Sequence, residues 1–232
     1  MALILSDASS RVSLLVIVAV ASVIAVIAPF DVAFARLTLG SPVLRVLLIA
    51  AMAVTGAACA DTVGYRLQGH GSRHYGAIGV AAAVGVAIGV IVFDAWLCRS
   101  LLSHSYVEAI RAPLAWRLSY FMLRAFNENV IYRLFVFSTL SFGLLRMSGA
   151  RSPNLVLVLI AAVATQVLNI GMNVVALSDM PISLGLIGYD IVRYIAPGVL
   201  WALLFWRFGF VVAEIASVGC HLFLQPVLGL LL

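Results

Sequence analysis

Residues 125–143 read AFNENVIYRLFVFSTLSFG, and this stretch decides how the rest of the chain is read. It has the apolar spacing of a membrane-buried helix, yet it holds Asn127, Glu128, Asn129 and Arg133 close together. A charged side chain at the bilayer centre costs about 2.5–3.5 kcal/mol on insertion scales, so such residues turn inward, find partners and mark function. Glu128 and Arg133 lie five apart, about 500° around an α-helix at about 100° per residue. They do not stack as an i,i+4 pair would, which predicts that Arg133 orients another group or snorkels rather than neutralising Glu128.

The surrounding composition fits that reading. The chain is 64% apolar and 10% charged, with a mean hydropathy of +1.17. A soluble domain carries about 25% charged residues, so the expected class is an all-α, polytopic transmembrane bundle. Over 232 residues, at about 20 residues per span, there is room for six to eight helices and one domain, 1–232. All 14 basic residues are arginine. The net charge of +5 is spread over loops, which predicts membrane borders rather than a nucleic-acid surface. Cys59, Cys98 and Cys220 lie in or beside apolar runs without C-x-x-C spacing. They read as buried small hydrophobes, with neither a disulfide framework nor a thiolate metal site.

Seven spans are expected. The first is Val12–Phe30, with no small-residue cleavage site after it, so a retained helix rather than a removed signal. Pro42–Ala60 and Gly76–Cys98 follow, the latter with Asp94 near its end, expected at the interface. The fourth pattern runs Arg117–Arg146, the fifth Asn154–Leu177, the sixth Leu184–Trp206 with a kink at Pro197, and the seventh Phe210–Leu232. Between spans two and three, Asp61–Tyr75 is a polar, Gly-rich loop, and His70 and His74 there read as solvated rather than metal-bound. Arg99–Trp116 mixes charge with apolar residues at helical spacing and reads as an interfacial amphipathic helix stopped at Pro113. The arginine distribution over these spans leans to a cytoplasmic N-terminus.

Counting depth brings polar residues together. On the alternation of spans, Glu128, Asn169 and His221 fall within roughly 12–17 Å of one membrane face at 1.5 Å per residue. Asn169 and Asn173, and His221 and Gln225, are i,i+4 pairs, each on one helical face. A carboxylate, a histidine and amides in a dry cavity can do general base catalysis. Glu128 activates a water, and His221 with amide donors holds the developing oxyanion. The alternative is ordinary interhelical hydrogen bonding. In span six, Asp190 and Arg193 are expected to pair at i,i+3.

The same residues resemble a family. ENVIYR, residues 128–133, resembles the E-E-x-x-x-R motif of the CAAX-processing and bacteriocin-processing (CPBP, or Abi) intramembrane endopeptidases. Residues 198–225, GVLWALLFWRFGFVVAEIASVGCHLFLQ, resemble that family's closing segment, an aromatic run, a short R-x-G turn and a small-residue helix into a final H-x-x-x-N. The resemblance covers about 120–226, with a family-like core at about 117–226. Asn129 stands at the second Glu, Asn169 at the middle His with Thr165 at its preceding Phe, and Gln225 at the final Asn. The resemblance implies a glutamate-activated water at Glu128, a water-orienting Asn169, oxyanion donors at His221 and Gln225, and supporting roles for Asn129, Arg133 and Asn173. It implies no cofactor and no metal. It also implies a bacterial inner (plasma) membrane location, contact with membrane lipids, and a peptide or protein substrate. A non-catalytic relative binding a membrane partner is the second reading. A small transporter using Glu128, Asp190, Arg193 and Glu214 is the third.

Overall fold

The computed structural model describes residues 8–28, 32–68, 73–173 and 183–232, and every regular element among them is helical. His70, the turn at 178–181 and the end of the expected fifth span lie outside the described residues. Seven of the helices are long and apolar enough to cross a membrane, which identifies an integral membrane protein.

The first span is α1 (Ala8–Ile27), followed by the short α2 (Val32–Leu37). Span two, α3 (Pro42–Thr62), starts where the Ser41 side chain accepts from Leu44 N and proline occupies the first turn, a start that leaves fewer orphan donors. Span three is α4 (Arg73–Val92), running into a π-helical turn at Phe93–Leu97. The expected amphipathic helix is shorter than its pattern. A 3₁₀ turn at Arg99–Leu101 precedes α5 (His104–Arg111), capped by Ser103 and closed before Pro113. Ser103 takes the Tyr106 N–H and resets the chain, which the apolar spacing alone does not reveal.

Span four is continuous from Leu114 to Ser148. It comprises α6 (Leu114–Glu128), a π segment (Asn129–Phe137) and α7 (Ser138–Ser148), ending at Gly149 with φ +66°. Span five is α8 (Leu155–Asn173), with Asn154 Oδ1 accepting from Leu157 N at 3.0 Å. Span six joins α9 (Leu184–Asp190), a π turn (Ile191–Ile195) and α10 (Ala196–Phe208). Span seven is α11 (Phe210–Leu231), with Pro226 inside it.

Span seven packs along α4 and α6, α1 packs along α3, and α3 crosses the π segment of span four. That crossing is close. A Cβ on Gly56 would lie 2.6 Å from the Leu134 carbonyl carbon and 2.7 Å from Phe135 Cα, so only a bare backbone fits. Behind it, Phe137, Phe205 and Phe210 are fully buried: Phe137 stacks on Tyr65, and Phe205 meets Tyr65 and Phe210 edge to face. The apolar core therefore sits beside the second half of span four. Of the polar residues of its first half, Arg124 and Glu128 face a cavity on the other side, while Asn127 donates to the Ala21 carbonyl of α1 at 3.4 Å.

Candidate active site

The cavity holds about 390 Å³ and is walled by α4, α5 and spans four to seven. Glu128, Asn129, Arg133, Asn169, Asn173, His221 and Gln225 all line it, so the depth count and the geometry agree that these spans meet there. Thr165, one turn before Asn169, turns its hydroxyl back to the Ala161 carbonyl at 2.7 Å.

Glu128 is the last α-helical residue before the π segment. Its Oε1 accepts from Arg124 Nε at 2.7 Å, an i,i+4 pair with both side chains about three-quarters covered. Arg133 is not its hydrogen-bonded partner, yet the simple α-period does not apply to it. In the π segment the i→i+5 ladder stacks residues five apart, so Arg133 stays on the cavity wall. Arg133 is 5% exposed, and its Nε meets no protein acceptor.

Asn129, 1% exposed, donates from Nδ2 to Glu214 Oε2 of span seven at 3.2 Å. A carboxylate of span seven thus stands behind the Asn129 amide. Asn173 donates from Nδ2 to Tyr132 OH at 2.8 Å and to Asn169 Oδ1 at 3.0 Å. With its oxygen engaged, Asn169 keeps its own N–H bonds for the cavity. It can therefore donate to a water or an oxyanion, but it cannot take a proton.

His221 stacks on Phe121, with ring centroids 5.6 Å apart and planes at 18°. Gln225 Nε2 lies 3.4 Å from His221 Nδ1. Gln225 is 1% exposed, and its backbone carbonyl accepts from Arg117, a buried arginine whose Nε also donates to the Ala112 carbonyl at 2.9 Å. The last helix is thereby tied to the corner between α5 and α6.

One expectation is corrected on the far wall. Asp94 is fully buried within the protein, and it accepts from Tyr106 OH at 2.9 Å, Tyr189 OH at 3.1 Å and Arg193 Nε at 3.0 Å. Arg193 therefore pairs with Asp94 of span three and not with Asp190. The π turn at Ile191–Ile195 is the reason, because it breaks the α-period that would stack positions 190 and 193. Arg193 also donates to Tyr106 OH at 3.2 Å and lies over the Tyr194 ring at 5.1 Å. Burial lifts the Tyr106 hydroxyl above its ordinary range, with Arg193 opposing, and it remains a donor to Asp94.

Three residues had no role in the sequence reading. Arg124 was legible, since it stands i,i+4 before Glu128 in a favourable spacing. Gln166 donates to the Tyr194 carbonyl at 3.0 Å, crossing the bare backbone of Gly198. Its signal was a glutamine inside an apolar span. Tyr106 gave no signal, because its partners come from spans three and six.

As an electrostatic set, Arg124, Arg133 and Arg193 line the cavity together with Glu128 and Asp190, and Asp94 and Glu214 are hydrogen-bonded to lining residues. Charge is matched by charge inside the bundle, as an intramembrane site requires. Among the described residues, no three His, Cys, Asp or Glu side chains gather where they would hold a metal ion. No family model, curated protein or solved structure matches the chain.

Proposed function

We propose that this protein is an intramembrane endopeptidase of the CPBP type, acting in a bacterial plasma membrane on a peptide or protein near the membrane surface. One observation carries the reading: Glu128, Asn169 and His221, from three different spans, wall one cavity. In the proposed reaction Glu128 takes a proton from a water, and the water oxygen adds to the scissile carbonyl carbon. The resulting oxyanion accepts from Asn169 Nδ2 and His221. Collapse of that intermediate breaks the C–N bond, and Glu128 returns its proton to the leaving amine. Arg124 holds the carboxylate in place at 2.7 Å.

The second reading, a partner-binding protein without catalysis, is favoured by the same ion pair. One oxygen of the Glu128 carboxylate is already taken by the Arg124 guanidinium, and no histidine stands at position 169.

Proteolysis in reconstituted vesicles tests both. Wild type, Glu128→Gln and His221→Ala are incubated with membrane and secreted peptides, and products are read by mass spectrometry. The endopeptidase reading requires a cut made by wild type and lost in both variants. A stable partner recovered with wild type and Glu128→Gln alike, with no cut across the panel, selects the binding reading.

A further inference from the structure

We infer that Gln225 is a positioning residue that fixes the tautomer of His221, so that the ring presents Nε2–H to the cavity. The functional meaning rests on the endopeptidase reading; the tautomer itself does not.

The contact between the two residues has one direction. A carboxamide nitrogen donates and does not accept. Gln225 Nε2 at 3.4 Å from His221 Nδ1 therefore makes Nδ1 the acceptor. In a neutral imidazole the other nitrogen then carries the hydrogen, and the bond made at one nitrogen decides the state of the other.

Gln225 is built to do this and little else. It is 1% exposed, and its Oε1 is sealed from solvent without a protein donor, which leaves the amide nitrogen as its working end. Its backbone is gripped by Arg117, and the guanidinium fits there because residue 229 is glycine. A Cβ at that position would overlap the Arg117 head group. Phe121 stacked on the ring removes its remaining freedom to turn. Glutamine is longer than asparagine by one methylene, and that reach carries its amide back one helical turn to the ring. The consequence is a division of labour: His221 enters the reaction as a hydrogen-bond donor through Nε2, and Glu128 is left as the base.

The test uses the full chain in lipid nanodiscs with ring-¹⁵N-labelled histidine. The chain has four histidines, and His221→Ala assigns the resonance of interest. Wild type is expected to show a protonated Nε2 and a hydrogen-bonded, unprotonated Nδ1. Gln225→Glu, read at a pH where its carboxylate is ionised, supplies a pure acceptor, so the hydrogen must move to Nδ1. Gln225→Met keeps the length without a polar group and guards against misfolding of the buried acid. There the Nδ1 resonance must move to that of an imine nitrogen without a hydrogen bond. A wild-type ring protonated at Nδ1, or a ring unchanged in the folded variants, overturns the inference. If wild type cuts a peptide, Gln225→Glu should lower kcat by about 10²–10³-fold, the usual loss of one oxyanion donor, with KM little changed. If wild type cuts nothing, the endopeptidase reading fails and the resonances still decide the tautomer.

Discussion

Replacing Gly56 by alanine tests whether span two is seated on the π segment of span four as described. The added Cβ would meet the carbonyl group of Leu134 and the Cα of Phe135, at 2.6 Å for the carbonyl carbon and 2.7 Å for the Cα. These are backbone atoms, so no rotamer change relieves the overlap and one helix must move. Overpacking of this kind costs about 1–3 kcal/mol, and the rigid obstacle argues for the upper end. Alanine returns up to about 1 kcal/mol in helix propensity. A net loss near 2 kcal/mol lowers Tm by about 4–8 °C for a chain of this size. The measurement is thermal unfolding in detergent followed by tryptophan fluorescence. Gly85→Ala is the control, because nothing lies within 4 Å of its Cβ position, and it should match or exceed wild type. A Gly56→Ala protein as stable as the Gly85→Ala protein would refute the close crossing.

Three other outcomes follow from the same geometry. Asp94→Leu leaves Arg193 buried without its carboxylate and should cost about 3–5 kcal/mol; adding Arg193→Met should recover much of this in the same unfolding measurement. Gly198→Ala pushes the Gln166 amide off the Tyr194 carbonyl and should destabilise by about 1–3 kcal/mol, with a less than additive effect when combined with Gln166→Ala. Arg124→Gln leaves the three-quarters-covered Glu128 carboxylate without its guanidinium, so Tm should fall, though by less than corresponds to the loss of about 3–5 kcal/mol on breaking a fully buried pair. In the cleavage assay it should cost up to about 10²-fold, the effect of a catalytic group displaced by about 1 Å.

Much of this was legible in the sequence, and the reasons differ by residue. The seven spans follow from apolar runs of sufficient length, which need no knowledge of tertiary contacts. Glu128, Asn169 and His221 share one cavity because depth in a bilayer converts chain position into height, and helices of fixed rise preserve it. What pairs with what was less legible. Asp94 and Arg193 are 99 positions apart, and nothing local links them. The expected Asp190–Arg193 pair fails because the π turn changes the phase, and residue types do not announce an i→i+5 ladder. The burial of Gln225 and its grip by Arg117 were not legible, because they arise only on folding.

The π segment of span four also bears on how long the helix must be. An i→i+5 turn takes up one residue more than the α ladder around it. Arg124 and Glu128 keep one phase on the cavity side, while Phe137, Ser138 and Ser141 keep another against the core. Deleting one residue between 129 and 137 would restore a plain α-helix and turn one half by about 100° against the other. Either half can then remain seated, but not both. Register within this helix is thus as tightly constrained as the identity of its side chains, and a single deletion there is a harsher change than most substitutions.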